Sequence, residues 1–477
     1  MTAAAVAPGE PAGLAEATAA IRERRISSVE LTQAALARAQ ALQPALNAFI
    51  AIEAEAARAA AQVADEAVAA GRPLGALHGV PFAHKDMYDR AGRITGCGSA
   101  IRTGHVASTT STAMTRLEAA GAISIGRLNM SEFAMGPTGL NAHHGRACNP
   151  ADPERVTGGS SSGSGAAVGA GIVRAALGSD TGGSIRLPAA CCGVVGIKAT
   201  QGRVSRHGAM PLSFSQDCIG PLAASVADAW LVLRLIAGPD GLDPTCMDAA
   251  PLGALREDLS DLHIGIGGGM FAEGLAPEVA AAIADAARVL SPLAATVAPV
   301  GMPDLSAVAE LANVVAMSEA AAVHFDWLRD RPQDYGPQPR MRLAQALAIP
   351  APLYVRALQI RAVMLSEFID TVFSRCDVLV VPAMPFLPPL SAEVDVGDDP
   401  RMNAVVSAMT SFTRPFSYLG LPVVTLPGGR SAGGLPVGLQ IVAAPWREDL
   451  AASVAARLET ALALGSFARP LTLRPAA

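Results

Sequence analysis

The sequence predicts a single α/β domain around a substantially buried β-sheet. Short apolar runs of β-type residues alternate with longer segments in which apolar residues recur at helical spacing. Hydrophobic residues make up 51% of the 477 residues and charged residues only 16%, which is enough apolar surface for a large core. Because no internal repeat and no linker-like stretch divides the chain, we expect residues 1–477 to form one domain, with disorder over residues 1–12.

The N-terminal part of the chain begins with helices. Apolar residues recur at helical spacing from Leu14, and a second helix follows Ser27, which forms a capping-box pattern with Glu30. A strand is predicted over residues 47–52, and an alanine-rich helix follows it to about Ala70. Two helices therefore precede the first strand.

Further strands are predicted at five short apolar runs, with helices such as SVADAWLVLRLIAG between them. The proline- and glycine-rich stretches near residues 382–389 and 428–436 are expected to be loops. This alternation is typical of an α/β protein. The five runs are GVPFAHK, AISIG, DVLVVPAMP from Asp377, PVVTLPG from Pro422 and VGLQIVA from Val437.

Composition argues against several classes of function. The net charge is −6 and no run of lysine and arginine is present, so direct nucleic-acid binding is not expected. No window of about 18 uninterrupted apolar residues indicates a membrane span, and the N-terminus lacks a signal-peptide pattern. Seven cysteines, including the adjacent pair Cys191–Cys192, are best interpreted as reduced thiols of a cytoplasmic protein. His143 and His144 lack partners at metal-ligand spacing, so no metal and no cofactor is expected.

The stretch VTGGSSSGSGAAV, residues 156–168, is the most unusual part of the sequence. A phosphate-binding loop is excluded because Ser164 stands where the required lysine would follow Gly163. A nucleophile elbow centred on Ser161 fits G-x-S-x-G, but no strand precedes it and no histidine stands in a recognisable setting. A flexible linker is disfavoured because a second glycine- and serine-rich cluster follows at residues 178–193. Two tight loops that meet at one site are the remaining interpretation.

Lys85 adds a possible base to these two loops. It ends the predicted strand GVPFAHK, where a lysine is most often a surface residue. A lysine removed from water, however, loses its proton more easily and can act as a general base. Asp86 points to the opposite face of a strand, so it need not keep Lys85 protonated. Lysine, serines and glycine N–H groups together would make a Ser/Lys hydrolase.

These motifs resemble the amidase signature enzymes. The segments that carry the resemblance are GVPFAHKD, GGSSSGS and GSDTGGSIRLPA. Ser160 lies 75 positions after Lys85, and Ser184 lies 24 positions after Ser160. Weaker matches extend the resemblance from about residue 14 to about residue 465. It implies one domain with a large twisted mixed β-sheet sandwiched between α-helices.

The resemblance also implies roles for individual residues. Ser184 would be the nucleophile, Lys85 the base, and Ser160, after a cis peptide bond from Gly159, the relay between them. An oxyanion hole would be formed by the backbone N–H groups of Thr181, Gly182, Gly183 and Ser184. Neighbouring polar residues are expected to hold the loops rather than react: Ser161, Ser162, Asp180, Arg186, Gln216 and Asp217.

The resulting expectation is a serine hydrolase that cleaves linear carbon–nitrogen bonds through an acyl-enzyme. The bond would belong to a small amide, an aryl amide or a carbamate (a urethanase activity), and a homodimer is possible. Residues 240–375 carry no family motif and are expected to cover the site, where their aromatic residues favour an apolar or aryl group. Two alternatives remain: the glutamine-hydrolysing A subunit of a tRNA-dependent amidotransferase, which would need partner subunits, and a non-catalytic binding relative.

Overall fold

A computed structural model of the chain describes residues 11–397 and 399–467. Most of the N-terminal stretch expected to be disordered, residues 1–10, lies outside the described residues. Pro11 is described, and its carbonyl oxygen accepts a hydrogen bond from Arg174 (2.8 Å). The fold is therefore anchored from Pro11 onwards.

Eleven strands in the described part of the chain form one mixed sheet in the order β1-β3-β2-β4-β6-β5-β10-β11-β9-β7-β8. Strand β2 runs parallel to β3 and β4, and β7 runs parallel to β8 and β9, whereas the central strands pair antiparallel. The strands are β1 Phe49–Ile52, β2 Pro81–Lys85, β3 Ile123–Leu128, β4 Ala175–Asp180, β5 Val195–Lys198, β6 Cys218–Ala223, β7 Leu259–Gly267, β8 Ala294–Val300, β9 Val378–Pro382, β10 Val423–Arg430 and β11 Pro436–Ala443.

Helices cover both faces of this sheet. In β10, Val424 packs in one core cluster with Leu450, whereas its neighbour Val423 packs on the other side with Phe416. The helices are α1 Leu14–Arg22, α2 Ser28–Leu46, α3 Ala54–Ala69, α4 Thr112–Ala119, α5 Ser162–Gly169, α6 Arg186–Cys192, α7 Val226–Ile236, α8 Pro277–Leu290, α9 Val308–Asp330, α10 Pro337–Ala346, α11 Ala351–Phe368, α12 Ser391–Val394, α13 Arg401–Thr410, α14 Arg414–Tyr418 and α15 Glu448–Leu462. The predicted α/β fold with a sheet between helices is confirmed.

The N-terminal elements and the five apolar strands form where the sequence predicts them. The capping box is present: Ser27 Oγ accepts from the N–H of Glu30 (3.1 Å), and the Glu30 carboxylate accepts from the N–H of Ser27 (2.8 Å). The loop predicted over residues 428–436 is too long, because β10 continues to Arg430 through a bulge and β11 begins at Pro436. Strands β4 to β8 were not predicted, since glycine, proline and serine interrupt or shorten their apolar runs.

Helix α9 is the one helix in the described ranges that is long and apolar enough to cross a membrane by length and composition. In this structure it packs against α10, α11 and α14. Several of its residues, including Ala312, Val315 and Ala320, are buried within the protein. Of its most apolar window, 44% is buried inside the protein.

Candidate active site

Strand β2 carries Lys85 into the interior of the molecule. All five residues of β2 are buried, and the Lys85 side chain has no solvent exposure. Its Nζ donates hydrogen bonds to the Oγ atoms of Ser160 (2.7 Å) and Ser179 (2.9 Å). The structure therefore brings the first of the three motifs against the other two.

Burial controls the charge of Lys85. Removal from water lowers the pKa of its ammonium group to about 7, and the negative charges of Asp217 and Asp180 oppose this effect. The neighbouring Asp86 faces away, as predicted, and its carboxylate pairs with Arg127 (2.5 Å). At this pKa the protonated and neutral forms of Lys85 are both populated near neutral pH.

Tight backbone contacts fix the position of the Ser160 hydroxyl. The Gly159–Ser160 peptide bond is cis, as the family resemblance implies. A Cβ atom at Gly159 would lie 2.5 Å from the carbonyl oxygen of Gly136 and 2.7 Å from the backbone nitrogen of Gly139. Only glycine fits there, because both neighbouring atoms belong to the backbone.

The two serines after Ser160 hold this segment in place. Ser161 Oγ donates to the carbonyl oxygen of Ser179 (3.3 Å) and accepts from its N–H (3.3 Å), and Ser162 Oγ donates to the carbonyl oxygen of Asn129 (3.3 Å). Their predicted structural role is confirmed. The residues before the segment form isolated bridges instead of a strand, which also excludes a nucleophile elbow at Ser161.

The second glycine cluster forms a loop between β4 and α6. Its organising group is the Asp180 carboxylate, which accepts from the backbone N–H of Ile185 (3.1 Å) and pairs with the Arg186 guanidinium (2.9 Å). Burial raises the pKa of Asp180, but the Arg186 charge and these hydrogen bonds outweigh it and lower the pKa to about 2. Asp180 and Arg186 therefore hold the loop, as predicted.

The four backbone N–H groups that are predicted to bind the oxyanion differ in their hydrogen bonds. The Gly183 N–H already donates to Asp180 Oδ1 (2.9 Å), so it is not free to bind a substrate oxygen. In the described structure no acceptor is bonded to the N–H groups of Thr181, Gly182 and Ser184. Three of the four predicted oxyanion donors therefore remain available, and Gly183 serves the conformation of the loop.

Ser184 lies where this loop meets the pocket. Ser184 retains 9% exposure as a residue, whereas Lys85 and Ser160 have none. Ser184 lines a pocket together with Gly159, Thr181 and other residues. The three residues predicted to be catalytic thus occupy one region, with the predicted nucleophile at the surface of the pocket and the predicted base behind it.

Asp217 and Gln216 support the walls of this site. The Asp217 carboxylate accepts from the Thr181 hydroxyl (2.5 Å) and from the N–H of Leu212 (2.8 Å), and burial raises its pKa to about 6. Gln216 Nε2 donates to the carbonyl oxygen of Ala312 (2.9 Å) and also lines the pocket. Asp217 is structural, as predicted, whereas Gln216 combines a structural contact with a place in the pocket wall.

Residues from the 240–375 segment line the pocket, but its aromatic residues do not. Helix α9 contributes small and polar residues that include Ala316 and Asn313. Phe271 instead stacks in the core on Phe416 (ring centroids 5.4 Å apart), and Phe325 is exposed to solvent. No aromatic side chain is among the described pocket residues, so the expectation that aromatic residues of this segment form the site was wrong.

Two arginines of the pocket were missed by the sequence analysis. Arg342 from α10 and Arg414 from α14 line the same pocket as Ser184. The sequence does show that Arg414 begins an otherwise mostly apolar stretch, RPFSYLGLP, and this is the one signal that pointed to it. Nothing in the sequence, however, indicates that a residue near 342 approaches it.

Cysteine and histidine do not build a further reactive centre in the described ranges. No disulfide joins any of the seven cysteines within the described residues, and burial raises the pKa of Cys191 and Cys192. His143 Nε2 lies 3.1 Å from the Glu132 carboxylate. No group of three or more potential metal ligands occurs among residues 11–397 and 399–467.

The fold and this pocket define a class of hydrolase with a buried lysine–serine pair and a glycine loop. The family profile described as Amidase matches residues 30–451. The AtzE subunit of 1-carboxybiuret hydrolase from Pseudomonas sp. (strain ADP) is 40% identical over 437 residues, which cover 90% of this chain and 94% of that protein. The A subunit of glutamyl-tRNA(Gln) amidotransferase from Roseiflexus sp. (strain RS-1) is 39% identical, with 91% and 93% coverage.

Solved structures give the same result. A chain from a vestigial protein complex, described as revealing the evolutionary origins of an s-triazine catabolic enzyme, superposes with a TM-score of 0.87 at 37% identity. The match covers 96% of this chain and 100% of that chain. The chain belongs to the amidase signature family and is an amide-hydrolysing enzyme that acts on carbon–nitrogen bonds.

Proposed function

We propose that this enzyme hydrolyses small linear amides or carbamates through an acyl-enzyme on Ser184. The observation that carries the proposal is the buried hydrogen bond of 2.7 Å between Lys85 Nζ and Ser160 Oγ, directly behind the pocket that Ser184 lines. Serine is a poor nucleophile until a base removes its proton. A lysine with a pKa of about 7 supplies such a base.

The proposed reaction begins with two linked proton transfers. Neutral Lys85 accepts the proton of Ser160 while Ser160 takes that of Ser184. The Ser184 oxygen then bonds to the carbonyl carbon, and the electron pair of the carbonyl bond moves onto its oxygen. The free N–H groups of Thr181, Gly182 and Ser184 stabilise this oxyanion, because they already belong to one ordered loop and need no reorganisation.

Collapse of this intermediate breaks the carbon–nitrogen bond. The proton held by Lys85 returns through Ser160 to the departing nitrogen, which leaves as ammonia or an amine. A water molecule then adds to the Ser184 ester with the same base, and the acid product leaves while the Ser184 hydroxyl is restored. No step requires a cofactor.

Two further points belong to the proposal, the natural substrate and the need for partner subunits. The 40% identity to the AtzE subunit supports small amides of the carboxybiuret type as first candidates. The 39% identity to amidotransferase A subunits supports a second function, glutamine hydrolysis within an assembly. That function requires partner subunits, and we expect the isolated chain to be nearly inactive on simple amides if it applies.

The test is the intact-protein mass after mixing with simple amides, p-nitroanilides, biuret-type amides, an aryl carbamate and glutamine. A mass gain with one substrate in wild type but not in Ser184→Ala would establish the acyl-enzyme and identify the substrate class. Ser291→Ala is the matched control, because Ser291 is exposed and does not line the pocket. Equal product release by wild type and Ser184→Ala would exclude this nucleophile, whereas hydrolysis of glutamine alone would favour the amidotransferase function.

A further inference from the structure

Two consecutive residues at the start of one pocket wall have a left-handed backbone. Phe133 has a φ of 48° and Ala134 has a φ of 61°, and neither residue is a glycine. Such a conformation is uncommon for a residue with a side chain and persists where the surrounding structure enforces it. Residues 134–137 line the pocket beside Ser184. The contacts that enforce this backbone therefore determine where that wall lies.

The Phe133 ring is enclosed by three ring-bearing side chains from the 240–375 segment. Its centroid lies 4.4 Å from that of His324, and 5.7 Å from those of Trp327 and Tyr335. We call these four residues the Phe133 cluster. His324 and Trp327 belong to α9, and Tyr335 precedes α10. None of the three lines the pocket itself, so they can act on it only through Phe133.

The Phe133 cluster is packed as a small core. Phe133, His324 and Tyr335 are buried, and Trp327 is half-buried. The Tyr335 hydroxyl lies 2.8 Å from His324 Nδ1. Burial, together with the charge of Arg102, lowers the pKa of His324 to about 3, so its ring is uncharged at neutral pH. The ring packing therefore fixes the Phe133 side chain in one position.

The residue before Phe133 makes a second contact between the same parts of the chain. The buried Glu132 carboxylate accepts hydrogen bonds from the N–H of Gly336 (2.8 Å) and from the Ser99 hydroxyl (2.6 Å). Gly336 directly follows Tyr335, so two adjacent residues of each part of the chain take part. The left-handed backbone is thus held by hydrogen bonds at its start as well as by ring packing.

The start of this segment is fixed on the catalytic side independently of the cluster. The N–H of Ser131 donates to the carbonyl oxygen of Ser160 (3.1 Å), and Ser131 Oγ donates to the carbonyl oxygen of Gly136 (3.0 Å). Ser160 is also held by its hydrogen bond with Lys85 (2.7 Å). Loss of the cluster should therefore displace the pocket wall and leave the Lys85–Ser160 pair in place.

We propose that Phe133 is a positioning residue whose left-handed backbone, enforced by the Phe133 cluster, places residues 134–137 at the correct distance from Ser184 to hold the substrate. This inference rests on the proposed function of Ser184. The Phe133 ring acts through the wall and does not touch the substrate. Its loss should therefore weaken substrate binding more than it slows the chemical step.

The kinetic test uses the substrate that gives an acyl-enzyme in the mass experiment described above. We expect Phe133→Leu and Trp327→Leu each to raise KM at least about fivefold, with kcat per acylated enzyme changed less than about twofold. Trp327→Phe keeps a ring against Phe133 and should restore most of the KM. Phe325→Leu is the matched control, because Phe325 lies on the same helix but is exposed and outside the cluster. Unchanged KM in both leucine variants would overturn the proposal.

A second buried phenylalanine separates positioning from a general loss of stability. Phe467→Leu makes the same substitution at a buried ring that packs next to Gly193 and does not line the pocket. Loss of stability alone reduces the folded fraction, and so the apparent kcat, without changing KM. A rise in KM for Phe467→Leu as large as that for Phe133→Leu would contradict a specific role of Phe133.

Hydrogen exchange tests the same inference without a substrate. The N–H groups of residues 133–135 donate to backbone carbonyl oxygens at 2.9 Å each. They should exchange at least about tenfold faster in Trp327→Leu than in wild type or Phe325→Leu, because the segment opens more often without its support. Equal exchange in all three proteins would overturn the proposal. Hydrolysis that persists in Ser184→Ala would instead refute the proposed nucleophile, and this exchange measurement would still apply.

Discussion

The Lys85 side chain has an environment that suits a base better than a structural cation. Its hydrogen-bond partners in the structure are the hydroxyl groups of Ser160 and Ser179, and it has no solvent exposure. A structural lysine in a core is normally compensated by a carboxylate, because an isolated charge is expensive to bury. In the proposed mechanism this free-energy cost has a function, because it lowers the pKa of Lys85 and so makes its proton easy to remove.

We expect kcat/KM to rise with pH through about 7 and then to level off. Below its pKa of about 7, Lys85 is protonated and cannot accept a proton from Ser160. The measurement is kcat/KM from pH 5 to 10, with circular dichroism at each pH. Asp217→Asn should move this rise to lower pH, because the Asp217 charge raises the pKa of Lys85. The exposed Asp258→Asn is the control, and a flat profile in wild type would contradict the lysine base.

Helix α5 positions the Ser160 segment because its backbone lies directly on neighbouring backbone. A Cβ atom at Gly163 would lie 2.3 Å from the carbonyl oxygen of Ala48 and 2.5 Å from the backbone nitrogen of Asn129. Neither atom can move without shifting the adjacent chain. The serine motif is thus placed by glycines that permit this approach.

Gly163→Ala should destabilise the protein by at least about 2 kcal/mol, because overpacking against backbone cannot be relieved by a rotamer change. Gly104→Ala is the matched control, since no atom lies within 4 Å of a Cβ at that position. Denaturant unfolding of both variants gives the comparison. Equal stabilities of the two variants would contradict this argument, because they would show that α5 can shift away from the backbone of Ala48 and Asn129 at little cost.

The Asp180–Arg186 pair connects the glycine loop with elements far away in sequence. Arg186 also donates to the carbonyl oxygen of Thr413 (2.7 Å) and to Gln440 Oε1 (3.0 Å). Arg186→Met should cost about 3–5 kcal/mol at pH 7, because it leaves the Asp180 charge buried without a partner. Arg288→Met, in an exposed pair with Asp285, should change stability little.

The pH dependence of this variant provides an independent check. In wild type the lowered pKa of Asp180 contributes stability above about pH 3.8, which is lost as the pH falls towards 2. Without Arg186 the buried carboxyl favours its protonated form, so the cost of the substitution should be smaller at pH 4 than at pH 7. A cost that is the same at both pH values would contradict a charge-based role.

At the scale of the whole molecule, the sequence predicted the parts of the site that depend on local backbone requirements. The glycine clusters and the strand before Lys85 were recognised because glycine and buried strands leave local patterns. Arg342 and Arg414 were not recognised, because they come from helices that only the tertiary structure brings together. The aromatic residues of the 240–375 segment misled the prediction for the same reason, since the position of Phe271 along the chain does not show that it packs in the core.

The strands of the sheet also show which elements a sequence pattern fails to identify. Strand β9 is a continuous apolar run and β11 is mostly apolar, whereas β4 ends in Gly178, Ser179 and Asp180, which serve the site. A sequence adapted to chemistry at the end of a strand loses the pattern that identifies the strand. The missed strands β4 to β6 therefore lie beside the residues that were predicted best.

The proposed base should also determine how the stability of the whole molecule depends on pH. The pKa of Lys85 is about 7 in the folded protein and near its ordinary value of 10.5 in the unfolded chain. The burial penalty is therefore complete below pH 7 and disappears as the pH rises to about 10.5. Lys85→Met removes this penalty, so it should abolish activity yet stabilise the protein by roughly 3 kcal/mol at pH 7.

The stabilisation by Lys85→Met should shrink towards pH 10, where removing the proton from the lysine of the unfolded chain needs little free energy. Denaturant unfolding at pH 7 and pH 10 measures the difference. Ser184→Ala is the control, because it abolishes the proposed chemistry without removing the buried charge, and its stability should follow that of wild type. A Lys85→Met protein that is less stable than wild type at pH 7 would mean that the hydrogen bonds to Ser160 and Ser179 outweigh the cost of burying the charge. Lys85 would then stabilise the fold, and the argument that burial prepares it as a base would fail.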